Sequence, residues 1–209
     1  MTDRIVEEWN RCYKMHKCTL CKSSASVHES KPQAKVTDLT INLKRAISLP
    51  SSSFESFNHW QCFSDKNCDG LFLVEVLDGV YDLVAVELKS TFSTEHLFEA
   101  KEQVCISLQK SRVLLNTLSS FSAIRLRHIY GIIVSLPPDD GALSWISHFQ
   151  ELAEDNWGNH TVGLSLFLYG SYTVEKTNSD LCDNVCPSHF DLLYYNSKDA
   201  SLTIDLPKP

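Results

Sequence analysis

Apolar positions crowd into two runs near the middle of the chain, Leu71 to Leu77 and Leu83 to Leu88. Each has the length of a strand. Asp78-Gly79 between them supplies the positive φ that a tight hairpin needs. In the second run Leu83 and Ala85 share one parity, and Val84, Val86 and Leu88 share the other. Apolar side chains on both faces predict a strand buried within a covered sheet. Arg127 to Leu136 predicts a further buried strand, and Val162 to Tyr169 another. Phe190 to Leu206 reads as a closing hairpin around residues 196–199.

Spacings of three and four predict the helices. Ile5, Trp9 and Cys12 mark one over residues 3–17. Asp38 caps a predicted helix over 39–48, which Leu49-Pro50 ends. Ser51 to Ser53 cap a short helix holding Phe54, Glu55, Phe57 and Trp60, and Trp60 to Phe63 reads as a short strand. Ser93 or Thr94 caps a long helix to Leu118, with Leu97, Ala100, Val104, Leu108 and Leu115 on its core face. Leu143, Ile146, Phe149 and Leu152 predict another over 142–154. Residues 22–37, rich in Ser and Lys, read as a linker, and 175–189 as a polar loop.

A long helix between two strands favours a crossover that leaves them parallel. The expected fold is therefore α/β, with a mixed central sheet flanked by helices. Residues 1–49 are expected to form a basic, cysteine-containing helical extension, 50–175 the core, and 176–209 a C-terminal loop and hairpin.

Composition adds bounds. The 209 residues are 43% hydrophobic and 22% charged, which suits one globular domain with additions. Net charge is −7, so the surface as a whole does not favour nucleic acid. Residues 1–45 nevertheless carry nine Lys/Arg against five Asp/Glu, a net of +4. No apolar run approaches the ~20 residues of a membrane span, and the first fifteen residues lack the apolar core of a secretory signal. A cytoplasmic protein without membrane contact is expected. Cysteines in a reducing compartment act as buried thiols or metal ligands. Cys18 and Cys21 have the spacing of a structural Zn²⁺ pair, and Cys182 with Cys186 is the best second pair.

The chemistry gathers at the hairpin. Glu87 and Lys89 end the second strand two positions apart, so both point to one face. Burying them is costly unless they pair or serve a site. Asp69 opens the first strand, and a hairpin sets the start of one strand beside the end of the next. Two carboxylates and a lysine at a strand end suit a Mg²⁺ or Mn²⁺ site for phosphodiester hydrolysis. The same charges also fit a purely structural ion pair, with Asp69-Gly70 only a turn.

Asp69-Gly70, the hairpin, Glu87-Leu88-Lys89 and the helix that follows resemble the PD-(D/E)xK, or restriction-endonuclease-like, nuclease superfamily over residues 50–136. Cys68 stands where that family usually has proline. The resemblance implies an αβββαβ core in which Asp69, Glu87 and the Leu88 carbonyl hold the metal and Lys89 handles the attacking water. It also implies lesser roles for Glu55 on the first core helix and for Gln103, which resembles a glutamine that one branch of the family carries. Ser107 occupies the place of that branch's tyrosine. The implied activity is metal-dependent nucleic-acid cleavage, with DNA the expected substrate, and with a homo-oligomer or a partner subunit. The alternatives are a non-catalytic subunit of this fold, serving as a scaffold in a defence or repair complex, and a zinc-organised interaction module.

Overall fold

A computed structural model describes residues 1–29, 34–36, 38–59, 65–175 and 189–207, without the side chains of 55, 56, 58 and 59. Helix α1 (Thr2–Cys12) precedes strands β1 (Thr19–His28) and β2 (Asp38–Ser48). A 3-10 helix (Ser51–His59) leads toward β3 (Gly70–Leu77) and β4 (Val80–Lys89). Then come α2 (Thr94–Asn116), β5 (Arg125–Ser135), α3 (Asp140–Gln150), α4 (Thr161–Tyr169), β6 (Ser171–Glu175), β7 (His189–Asn196) and β8 (Ser201–Asp205). No helix among the described residues is long and apolar enough to cross a membrane.

The strands form one mixed eight-stranded sheet in the order β1-β2-β3-β4-β5-β7-β6, with β8 beside β2. β3 and β4 form the expected hairpin, and Gly79 takes the positive φ, at 75°. α2, capped by the Ser93 hydroxyl on the His96 N–H, carries the chain over to β5, which runs parallel to β4. α3 likewise starts at the Asp139 cap.

Alternation along β3 and β4 divides the core. Leu71, Leu73, Tyr81, Leu83 and Ala85 pack with Ile5 and Trp9 of α1, with Leu97, Val104 and Leu108 of α2, and with Leu166 of α4. Phe72, Val74, Val84, Val86 and Leu88 pack on the other face with Ala25 and Val27 of β1, Leu39 and Ile41 of β2, and Ile204 of β8. Strands from the sheet's own end thus cover the second face, and helices cover the first.

Several elements differ from the sequence reading. Residues 39–48 form strand β2 rather than a helix, and β1 runs through the first part of the expected linker, residues 22–28. The β1–β2 ladder pairs Lys22 with Arg45 and then Ser24 with Asn42. One residue is skipped on β1 and two on β2, so β2 carries an extra residue there. Ser23 takes φ 71° at this bulge. The bulge moves the inward parity of β2 from Leu39 and Ile41 to Ala46, and that broken alternation imitates a helical spacing.

Residues 161–169 form helix α4, not a strand. Its apolar residues leave no period to read. Gly170, at φ 72°, closes this helix from its C-cap, with its N–H on the Leu166 carbonyl. The closing strands exist, but they are not a hairpin. β7 pairs with β5 and β6, while β8 runs parallel to β2. The segments expected as N- and C-terminal additions therefore contribute strands to the central sheet. The short strand expected over 60–63 lies outside the described residues.

Candidate active site

The register Gly70 with Val86, continued by one residue, sets Asp69 opposite Glu87. Opposed residues of an antiparallel pair share a face. Odd positions of β3 and β4 face α2, so Asp69, Glu87 and Lys89 emerge on the α2 side of the sheet. Asp69 Oδ2 accepts a hydrogen bond of 2.7 Å from the Leu88 N–H, which brings this carboxylate to the peptide that joins Glu87 to Leu88. Gly70 beside it allows β1 to approach closely: a Cβ there would lie 2.4 Å from Val27 Cγ2.

Glu87 is 1% exposed, and its Oε1 lies 2.9 Å from Lys89 Nζ. Lys89 Nζ also donates to Gln103 Oε1 at 2.5 Å. Gln103 stands on α2, and its Nε2 donates to the Asn67 carbonyl at 3.1 Å. The glutamine therefore joins Lys89 to the segment just before Asp69. An ion pair this deep is favourable only if its desolvation is offset by good geometry and further hydrogen bonds, and Gln103 supplies one.

Two further residues complete this arrangement, and the sequence assigned neither of them a role. Ser107 Oγ accepts from the Cys68 N–H at 2.8 Å. Lys110, fully buried, donates to Asn67 Oδ1 at 2.8 Å and to the Lys66 carbonyl at 3.3 Å. Burial pushes the Lys110 ammonium below its ordinary pKa. Gln103, Ser107 and Lys110 follow one another at steps of four and three, one face of a helix. That spacing was visible in the sequence. What it faces was not, because the loop it holds is forty residues away in the chain.

Cys68 is buried, and its thiol is pushed up to about 12, chiefly by burial, with the charges of Glu87 and Asp69 acting in the same direction. It donates from Sγ to the Gly70 carbonyl at 3.1 Å. This thiol fills space beside the carboxylates.

The remaining carboxylates and the cysteines fare differently. Asp82, at the far end of β4, is held by Arg127, from Nε to Oδ1 at 2.9 Å and from the terminal nitrogen to Oδ2 at 2.5 Å. It takes no part at the Asp69 end. Cys18 packs into the α-helical face of the core, whereas Cys21 packs against the opposite face. Burial pushes the Cys18 thiol up to about 11 and raises that of Cys21. The two thiols thus pack on opposite faces of the sheet. The Glu55 side chain, Cys182 and Cys186 lie outside the described residues. Among the described residues no three His, Cys, Asp or Glu side chains gather as a metal site.

Whether the residues present suit a divalent cation turns on their donors. Mg²⁺ keeps several waters and needs only one or two protein carboxylates. Two opposed carboxylates and an adjacent backbone carbonyl are a hard-oxygen set of that kind. Comparison with family models, curated proteins and solved structures finds no match.

Proposed function

We propose that the chain hydrolyses phosphodiester bonds of nucleic acid, with DNA as substrate, using Mg²⁺ or Mn²⁺ at Asp69 and Glu87. The observation that carries this reading is the Asp69 carboxylate bonded to the Leu88 N–H, directly across from Glu87, with Lys89 on the same face. The β3–β4 hairpin, then α2 and parallel β5, also accord with the later part of the core that the sequence resembles over residues 50–136.

In this reading Asp69, Glu87 and the Leu88 carbonyl would hold the cation. When bound, it would lower the pKa of a water and stabilise charge on the phosphoryl oxygens. Lys89 has three donors, of which Glu87 and Gln103 engage two. The third serves the attacking water or a phosphoryl oxygen, and Gln103 fixes the direction of the ammonium. Backbone contact would come from the basic N-terminal part, since the Lys35 N–H bonds Ser90 Oγ at 3.0 Å, one residue beyond Lys89.

A second reading keeps the fold without cleavage, as a nucleic-acid- or protein-binding scaffold. The deep Glu87–Lys89 pair favours it, because each of these charges can serve simply to neutralise the other. The test is supercoiled plasmid incubated with purified protein and Mn²⁺. Nicked or linear product is expected with Mn²⁺ and none with excess EDTA. Lys89→Ala is expected to lower the rate by about 10²-fold or more, the range of a lost acid–base group. A Lys89→Ala preparation that cuts as fast as the parent would overturn the assignment, and protein that never cuts would favour the scaffold.

A further inference from the structure

We propose that Lys110 is the positioning residue for Asp69, acting through a three-rung clamp between α2 and residues 66–68. The rungs are Lys110 on Asn67 Oδ1 and the Lys66 carbonyl, Ser107 on the Cys68 N–H, and Gln103 on the Asn67 carbonyl. The clamp ends one residue before Asp69, whose carboxylate must reach the Leu88 N–H. A lysine with 0% exposure is unusual, since long charged side chains are rarely buried without partners. Its hydrogen-bond partners among the described residues are one side-chain amide oxygen and one backbone carbonyl on the same short segment, where the Asp65 carboxylate also favours the charged form. A core position on α2 satisfied only by packing would take Leu or Met at lower desolvation cost. The ammonium at this place does what a methyl group cannot: it holds a loop that enters the sheet as irregular backbone, with carbonyls that need donors.

The inference deepens the proposed cation site and rests on that reading for its effect on metal binding. Its structural part, the seating of Asp69 on Leu88, is measured separately. The test is amide hydrogen exchange by NMR on the full chain, comparing parent, Lys110→Met and Ser107→Ala, together with Mn²⁺ titration followed by electron paramagnetic resonance. Met keeps the length and removes the donors. The Leu88 amide is expected to exchange about tenfold faster or more in Lys110→Met, the effect of losing one net hydrogen bond. Val84 and Val86, two and four residues earlier in the same strand, are expected to keep their protection. Ser107→Ala is expected to act in the same direction at Cys68 and Leu88, and it decides the matter if Lys110→Met does not fold. Mn²⁺ affinity is expected to fall in both variants. An unchanged Leu88 amide, or equal acceleration at Leu88, Val84 and Val86, would overturn the positioning role. Parent protein that takes up no Mn²⁺ would overturn the cation reading instead, and the Leu88 exchange would still judge Lys110.

Discussion

Buried and exposed thiols separate clearly in this chain. Cys68 is buried with a raised pKa, whereas Cys12 is exposed. Thiolate is the reactive form, so iodoacetamide at pH 8 is expected to modify Cys12 well before Cys68, as read by peptide mass spectrometry. Rapid labelling of Cys68 in folded protein would mean that the entrance to β3 opens.

Glu8 offers a test by pH. Its Oε1 accepts from the Ser119 N–H at 2.9 Å and Oγ at 2.7 Å, and its Oε2 from the Ser120 N–H at 2.8 Å. Hydrogen bonding from Ser120, and next from Ser119, to the ionised form lowers the carboxyl from 4.5 to about 2. The folded pKa lies below the unfolded one, so the contribution is complete above about pH 4.5 and is lost as pH falls toward 2. Glu8→Gln is expected to reduce stability at neutral pH and to flatten its decline between those values, measured by denaturant titration across pH. An unchanged slope would mean that the Glu8 carboxyl titrates alike in the folded and unfolded chain.

At the scale of the element, packing overrides local preference in two places. α4 carries Thr161, Val162, Phe167 and Tyr169, types that favour strands, yet it is a helix seated against the start of α2. Gly163 permits this: a Cβ there would lie 2.5 Å from Thr94 Cα. Gly163→Ala is expected to destabilise by about 1–3 kcal/mol, as overpacking does, although alanine is the better helix former. A denaturation curve that shows a gain would refute the contact. β2 is the second place, where one extra residue opposite Ser23 breaks the alternation. The β3–β4 hairpin, α2 and β5 were readable because each announces itself within a dozen residues or so, through turn chemistry, a cap or alternation. The bulge was not, since it exists only in the pairing of two strands.

For the molecule as a whole, the second core face depends on chain ends. Ile204 of β8 is buried with Leu39 and Ile41 of β2, and both of those lie against the sheet centre. Deleting residues 198–209 is expected to lower the denaturation midpoint and to speed exchange at Leu39 and Ile41 more than at Leu83 or Ala85. Equal exchange everywhere would mean that β8 is an ornament. The charge distribution also belongs to this scale. A net of −7 would repel a polyanion, but the +4 of residues 1–45 enters the sheet through β1 and β2, and Lys35 passes beside Ser90.

Local chemistry alone placed Asp69, Glu87 and Lys89 on one face at one end of a hairpin, because turn type and strand parity are properties of neighbouring residues. It also located the cap of α2. Sheet order, the return of β8 to β2, the opposite facing of Cys18 and Cys21, and the grip of α2 on residues 66–68 came from long-range contact. Those features depend on which distant surfaces exclude water together, and residue types in a line do not specify that.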